Sequence, residues 1–198
     1  SIGVAMGSGT DVAKESGDMI IQDDNFETIV TAIREGRKIY DNIKRFVKFQ
    51  VSTNVGAILT IVGTSIFMLP VPFNPVQLLW INIVMDGPPA QTLGMEGSER
   101  NIMTRQPETG DILNKKVLIK IFIAGLVMAI GSIALFSYKL AIGASQKQAM
   151  TVAFTLFVMY QLFNAYNSKS NSAKKSTYLY LAIIACFILQ VLIVYIPE

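Results

Sequence analysis

Residues 49–94 read FQVSTNVGAILTIVGTSIFMLPVPFNPVQLLWINIVMDGPPAQTLG, and no residue from Phe49 to Met85 carries a charge. Pro70, Pro72, Asn74 and Pro75 divide the tract in two, because proline lacks the N–H a helix interior needs. Each half approaches the roughly 20 residues with which a helix crosses about 30 Å of hydrocarbon. The first half predicts a span over about 47–69 and the second a span over about 75–94. The second ends unusually, with one carboxylate, Asp86, set directly before Gly87-Pro88-Pro89.

Outward from this stretch the same pattern recurs. Of the 198 residues 52% are hydrophobic and 16% charged, and the charges are gathered into islands. Uncharged tracts at 121–138, 148–168 and 176–197 predict three further spans, about 117–138, 149–167 and 177–196. Basic residues favour the cytoplasmic side of short loops. Lys44, Arg45 and Lys48 precede the first span; Arg100, Arg105, Lys115 and Lys116 follow the second; Lys169, Lys174 and Lys175 follow the fourth. The alternate connections carry none, or only Lys139 and Lys147. An integral, multi-pass membrane protein with its amino end in the cytoplasm is expected. The net charge of +3 reflects this topology and gives no reason to expect nucleic acid as a partner. Cys186 is the only cysteine, so no disulfide framework exists, and the absence of histidine excludes His-based catalysis and His metal ligands.

The first forty-odd residues differ in kind. SIGVAM predicts a short strand, GSGTDVAKESG a glycine turn into a helix capped by Thr10 or Asp11, and DMIIQ a second strand. This is a β-α-β piece of a parallel α/β domain. Gly7-Ser8-Gly9 lacks the third glycine of a dinucleotide fingerprint and a Walker lysine-hydroxyl pair. A plain turn is expected, with glycine supplying positive φ. Asp23, Asp24 or Asn25 then caps an amphipathic helix carrying Ile29, Ile33, Ile39, Ile43 and Val47, which runs into the first span. Too little of the α/β domain is present to bury both sheet faces, and the expectation is a fragment with no signal peptide.

Inside the spans the polar residues carry the chemistry. Asn82 and Asp86, four apart, share one helical face. Pro88 and Pro89 leave carbonyls of the preceding turn without helical donors. Carboxylate, amide and carbonyl oxygens form a hard site suited to calcium or a similar cation. Asn54 in the first span, and Gln161 with Asn164 in the fourth, are placed to approach the same point. Amides in membrane helices also serve as interhelical glue. That bland role does not extend to Asp86, since a carboxylate at mid-membrane costs roughly 2.5–3.5 kcal/mol and its span has no basic partner. A bound cation or a proton would offset that cost.

Two long motifs carry a family resemblance. IGVAMGSGTDVAKESGDMIIQDDNFETIVTAIREGRKIYDNIKRFVKF resembles the end of the phosphorylation domain and the stalk of a P-type cation-transporting ATPase. LLWINIVMDGPPAQTLGMEGSERNIMTRQP resembles the sixth membrane helix and following loop of the calcium-pump branch, in particular its secretory-pathway and bacterial members. The resemblance implies a mainly α-helical polytopic membrane bundle of about five transmembrane helices. Residues 1–25 would be the remnant of an α/β, HAD-like phosphorylation domain, 26–46 the stalk and 47–198 the transmembrane domain.

By the same resemblance, Asn82 and Asp86 fall on sixth-helix cation ligands and Asn54 on a fifth-helix one, with Gln161 at an eighth-helix ligand position. Two-ion members place glutamate, threonine and glutamate where this chain has Ala57, Met85 and Gln161. A one-ion calcium pump is implied, with manganese as a second candidate cargo. The phosphorylated aspartate, the nucleotide domain, the magnesium motif and the fourth and tenth helices lie outside this sequence. No catalytic residue is therefore expected in this chain, and ATP and Mg2+ would act only through the rest of the same pump, its partner together with the lipid bilayer. A secondary transporter or channel using Asp86 as a proton or ion carrier, and a regulatory membrane fragment, are the competing classes.

Overall fold

The structure, a computed structural model, describes residues 2–97, 99, 101–106, 112–170 and 176–196. Of the residues used above, Arg100, Lys174 and Lys175 lie outside this set. Strands β1 (Val4–Met6) and β2 (Met19–Ile21) pair in parallel, Val4 opposite Met19, with helix α1 (Asp11–Ser16) between them. The expected β-α-β piece is thus small, two strands of three residues each. Thr10 is the N-cap, its hydroxyl accepting from Ala13 N at 3.4 Å.

Gly7 is a glycine for a different reason from the one expected. Among the described glycines only Gly143 has positive φ, at 80°. At Gly7 the need is for close approach: its N–H donates to Ile21 O at 2.7 Å, and a Cβ there would stand 2.8 Å from Gln22 O. Nothing in this turn departs from a strand-to-helix connection.

After β2 the chain reverses through Asp24, whose φ of 51° places it in the left-handed region that Asp tolerates better than most residues. Its Oδ1 accepts from Ser8 N at 3.0 Å, tying this reversal to the glycine turn. Asn25 then caps helix α2 (Phe26–Ile66), accepting from Glu27 N at 2.9 Å. At 1.5 Å per residue its 41 residues extend roughly 60 Å, twice the hydrocarbon thickness. The residues expected as stalk, 26–46, thus continue without a break into those of the first expected span.

Helix α5 (Lys115–Ala141) packs along α2 through glycines. A Cβ on Gly125 would meet Val55 Cγ1 at 2.8 Å and Gly56 N at 3.0 Å; one on Gly56 would meet Met128 at 3.2 Å. In lipid, where helices lack a hydrophobic drive to associate, such close backbone approach supplies the packing. Helix α6 (Gln146–Asn167) starts with a capping box between Ser145 and Gln148, and α7 (Thr177–Tyr195) lies against α6. The observed ends lie within a few residues of the expected spans, extended where polar caps such as Asn114 and Ser145 prolong the helix.

Four helices, α2, α5, α6 and α7, are each long and apolar enough to cross a membrane. The segment expected to span at about 75–94 is instead three consecutive short pieces: α3 (Pro75–Trp80), a π-helical turn (Ile81–Met85) and α4 (Gly87–Gly94). The interruption falls one turn before Gly87-Pro88-Pro89, not at it. Asp86 N reaches back to Ile81 O at 2.9 Å, the five-residue step of a π-helix. Pro88 and Pro89 sit in the first turn of α4, where a missing N–H leaves no intrahelical bond unmade. One core fills the space among α2, the interrupted helix, α5 and α6, with Ile81, Met85, Phe136, Phe154, Phe157 and Val158 at its centre.

Candidate intramembrane cation site

Asp86 sits at the junction of the π turn and α4, 1% exposed. Its Oδ1 accepts a hydrogen bond from Gln161 Nε2 of α6, and the same amide donates to Ile81 O at 3.4 Å. The π turn explains this geometry. By drawing Asp86 N onto Ile81 O, it brings that carbonyl and the carboxylate together under one side chain from α6.

The other oxygens of this pair are buried and unused. Asp86 Oδ2 and Gln161 Oε1 have no hydrogen-bond partner among the described residues. Thr53 of α2 stands beside the carboxylate, but its hydroxyl proton goes to Phe49 O at 3.1 Å. Behind it, Asn164 Nδ2 donates to Ser52 Oγ at 2.7 Å, fixing α6 to α2. A buried acceptor without a donor is costly, and hard oxygens in that condition on two side chains in contact fit a cation of the calcium type. The Cys186 thiol of α7 donates to Val84 O of the π turn at 3.6 Å. Among the described residues no cluster of three acidic, histidine or cysteine side chains exists. Among the described residues, Asp86 is the carboxylate that this chain brings to such a site.

Of the five residues singled out from the sequence, the structure brings Asp86 and Gln161 together. Asn54 and Asn82 lie on exposed faces of α2 and of the π turn, and among the described residues no hydrogen bond draws either amide to Asp86. Asn82 and Asp86 are four apart across the π turn, and they differ in environment: Asn82 is exposed and Asp86 buried. Asn164, expected to approach the same point, is held one step back on Ser52. A cavity of about 560 Å³ between the ends of α3, α6 and α7, lined by Trp80, Phe154 and Ile193, includes none of these side chains.

At the opposite end of α4 is a polar knot that the sequence did not reveal. Asn42 of α2 donates through Nδ2 to Gly94 O at 3.1 Å and Glu96 O at 2.9 Å, and Arg45 pairs with Glu99 at 2.6 Å. Arg105 pairs with the buried Asp41 at 2.7 Å. In sequence these are ordinary members of charged islands.

A helical, multi-pass membrane chain with an acidic oxygen site at a broken helix defines a class, the membrane sectors of ion-translocating proteins. Comparison with known proteins then gives the family. Residues 70–198 match the model of the cation transporting ATPase C-terminus, and the chain belongs to that family. It is 43% identical over 174 residues to the calcium-transporting ATPase type 2C member 1 of Homo sapiens, covering 86% of this chain and 19% of that protein. It is 43% identical over 175 residues to type 2C member 2 of Mus musculus, covering 86% of this chain and 18% of the relative. Calcium-transporting ATPase 1 of Schizosaccharomyces pombe is 41% identical over 174 residues, again with 86% and 19% covered. The chain thus spans about a fifth of the length of the curated relatives it matches.

Proposed function

We propose that this chain is the stalk and membrane part of an ATP-driven calcium pump, and that Asp86 is a ligand of the transported cation. The observation that carries the reading is the buried Asp86 carboxylate, with one oxygen unpartnered, at the π turn of an interrupted helix in a chain of this family. The names of the relatives supply the cargo, calcium. Manganese, a similar hard divalent cation, is the second cargo to test.

Gln161 serves as the movable partner. In its present orientation the amide N–H groups hold Asp86 and Ile81. Half a turn about the last side-chain torsion exchanges Nε2 for Oε1, and a donor to the carboxylate becomes an oxygen ligand beside it. Asn54 and Asn82 join from the exposed side when the remainder of the pump covers it. One ion per cycle follows from Ala57 and Met85, both packed into the apolar core where a second site would need oxygen.

Residues 1–25 belong to an HAD-like phosphorylation domain, 26–46 to the stalk and 47–198 to the membrane domain, with the amino end cytoplasmic. The unbroken α2 supports this division, since a single rigid helix joins the β-α-β piece to Thr53 at the site. ATP, Mg2+ and the phosphorylated group are supplied by the rest of the pump.

The test uses the full-length pump in vesicles. Calcium should activate phosphorylation from ATP, Asp86→Asn should abolish that activation, and manganese should compete. Calcium uptake driven by a proton gradient without ATP would instead establish the carrier reading.

A further inference from the structure

Glu96 lies just beyond α4 and is buried, 5% exposed, a rare condition for a carboxylate. Its Oε2 accepts two hydrogen bonds, from Ser170 N at 3.0 Å and from Ser176 Oγ at 2.8 Å. Ser170 follows the last turn of α6, and Ser176 is the residue that opens α7. Ser170 Oγ adds a bond to Gly97 O at 3.3 Å. From the other side, Asn42 of the stalk takes the carbonyls of Gly94 and Glu96, the acceptors a helix leaves unpaired at its carboxyl end.

These contacts have a common consequence. The carboxyl end of α4 is fastened to the α6–α7 connection by the Glu96 side chain and to α2 by the Glu96 backbone. Its amino end carries Asp86 and is fastened to α6 by Gln161. The eight residues of α4 span roughly 12 Å of rigid helix between these points. Slippage at Glu96 is therefore transmitted through the helical turns of α4 toward Asp86.

The geometry points to Glu96 as a positioning residue: by holding the carboxyl end of α4 to Ser170 and Ser176, it keeps Asp86 in register with Gln161 for the cation. The proposal rests on the reading of Asp86 as a cation ligand. In this role Glu96 is not a ligand and acts through its hydrogen bonds to Ser170 and Ser176. Its contribution is one oxygen atom accepting two bonds, which an amide oxygen can also do.

The experiment uses the full-length pump. Glu96→Ala should raise the calcium concentration for half-maximal phosphorylation from ATP by about fivefold or more, the effect of two lost buried hydrogen bonds. The ATP requirement and phosphorylation by inorganic phosphate without calcium should be unchanged. Glu96→Gln should restore most of the calcium affinity, which a charge role would not allow. Ser176→Ala, which removes one of the two bonds and leaves the carboxylate in place, should give a smaller shift in the same direction. It also serves as the test if Glu96→Ala does not reach the membrane. A normal calcium response in Glu96→Ala or, failing that variant, in Ser176→Ala overturns the proposal alone. No calcium-activated phosphorylation in the unsubstituted pump overturns the transport reading and this proposal with it.

Discussion

Asn164 Nδ2 lies 2.7 Å from Ser52 Oγ, and Ser52 Oγ in turn lies 2.8 Å from Phe49 O. The hydroxyl thus accepts from α6 and donates to its own helix, so α2 and α6 are joined one helical turn from the point where Gln161 meets Asp86. The wall of the site is a hydrogen-bonded seam as well as an apolar contact.

Asn164→Ala should therefore destabilise the folded membrane domain by about 0.6–2 kcal/mol, the range for interhelical hydrogen bonds in membranes. Thermal melting in detergent would measure it. Ser52→Ala should cost a similar amount, and the double variant little more, since both single changes break one bond. Simple additivity would mean that the two side chains act independently.

The α2–α5 contact makes the opposite kind of prediction, in which an added group is harmful. A side chain at Gly125 would press on Gly56 N at 3.0 Å and Ser52 O at 3.2 Å, backbone atoms that cannot rotate away. Gly125→Val should cost about 1–3 kcal/mol or more by overpacking. Gly36, in the same long helix as Gly56 but with nothing within 4 Å of a Cβ, is the control. Gly36→Ala should stabilise by about 0.5–1 kcal/mol through helix propensity. Equal effects at both positions would refute close packing as the reason for Gly125.

Orientation is testable by labelling. Met95 and Val71 are 71% and 59% exposed at opposite ends of the interrupted helix, while the native Cys186 is buried. Cysteine at position 95 should react with an impermeant reagent from the cytoplasmic side, and cysteine at 71 from the other. Reversed labelling would invert the topology drawn from the basic residues.

Acid should loosen the reversal before α2. The hydrogen bond from Ser8 to Asp24 holds that carboxyl below its ordinary value of 3.8. A depressed folded-state pKa contributes stability that is full above the unfolded value and lost as pH falls through the lower folded one. Amide exchange at Ser8 should rise as pH drops below about 3.8, beyond the change intrinsic to exchange. In Asp24→Asn, which cannot ionise, the added acid dependence should vanish. A wild-type profile without it would dismiss the Asp24 contact as a stabilising one.

Most of the architecture was legible because membrane helices announce themselves by length and charge. Phe49 to Met85 without a charge locates the long apolar helix, and Asn74-Pro75 is the cap and first residue of α3, with no knowledge of packing. The π turn was not legible. Proline at 88 and 89 marks a break, but a residue inserted one turn earlier depends on how Ile81 O is shared between Asp86 N and Gln161, a contact 80 positions apart in sequence. The same limit hid Glu96, whose burial is created by Ser170 and Ser176 from another connection. Asp86 was found because a lone acid among apolar residues is anomalous by composition. Glu96 lies close to Glu99 and Arg100 in a charged island and is not anomalous at all.

Asp86 also separates function from stability. Burying a carboxylate with one oxygen unpartnered is unfavourable. Asp86→Asn removes the charge and keeps an oxygen able to accept from Gln161, so the variant should melt at the same temperature as wild type or above it. Its response to calcium should differ completely. A ligand that binds only the folded state stabilises it by about 2.7 kcal/mol at a hundredfold excess over its dissociation constant. Wild type should therefore show a calcium-dependent rise in melting temperature, and Asp86→Asn none, since the change removes the charged ligand that this chain contributes to a hard-cation site. The measurement needs no ATP turnover and so isolates binding from the rest of the cycle. A calcium-dependent rise of normal size in Asp86→Asn would place the cation elsewhere and leave this carboxylate with a structural or proton-carrying role.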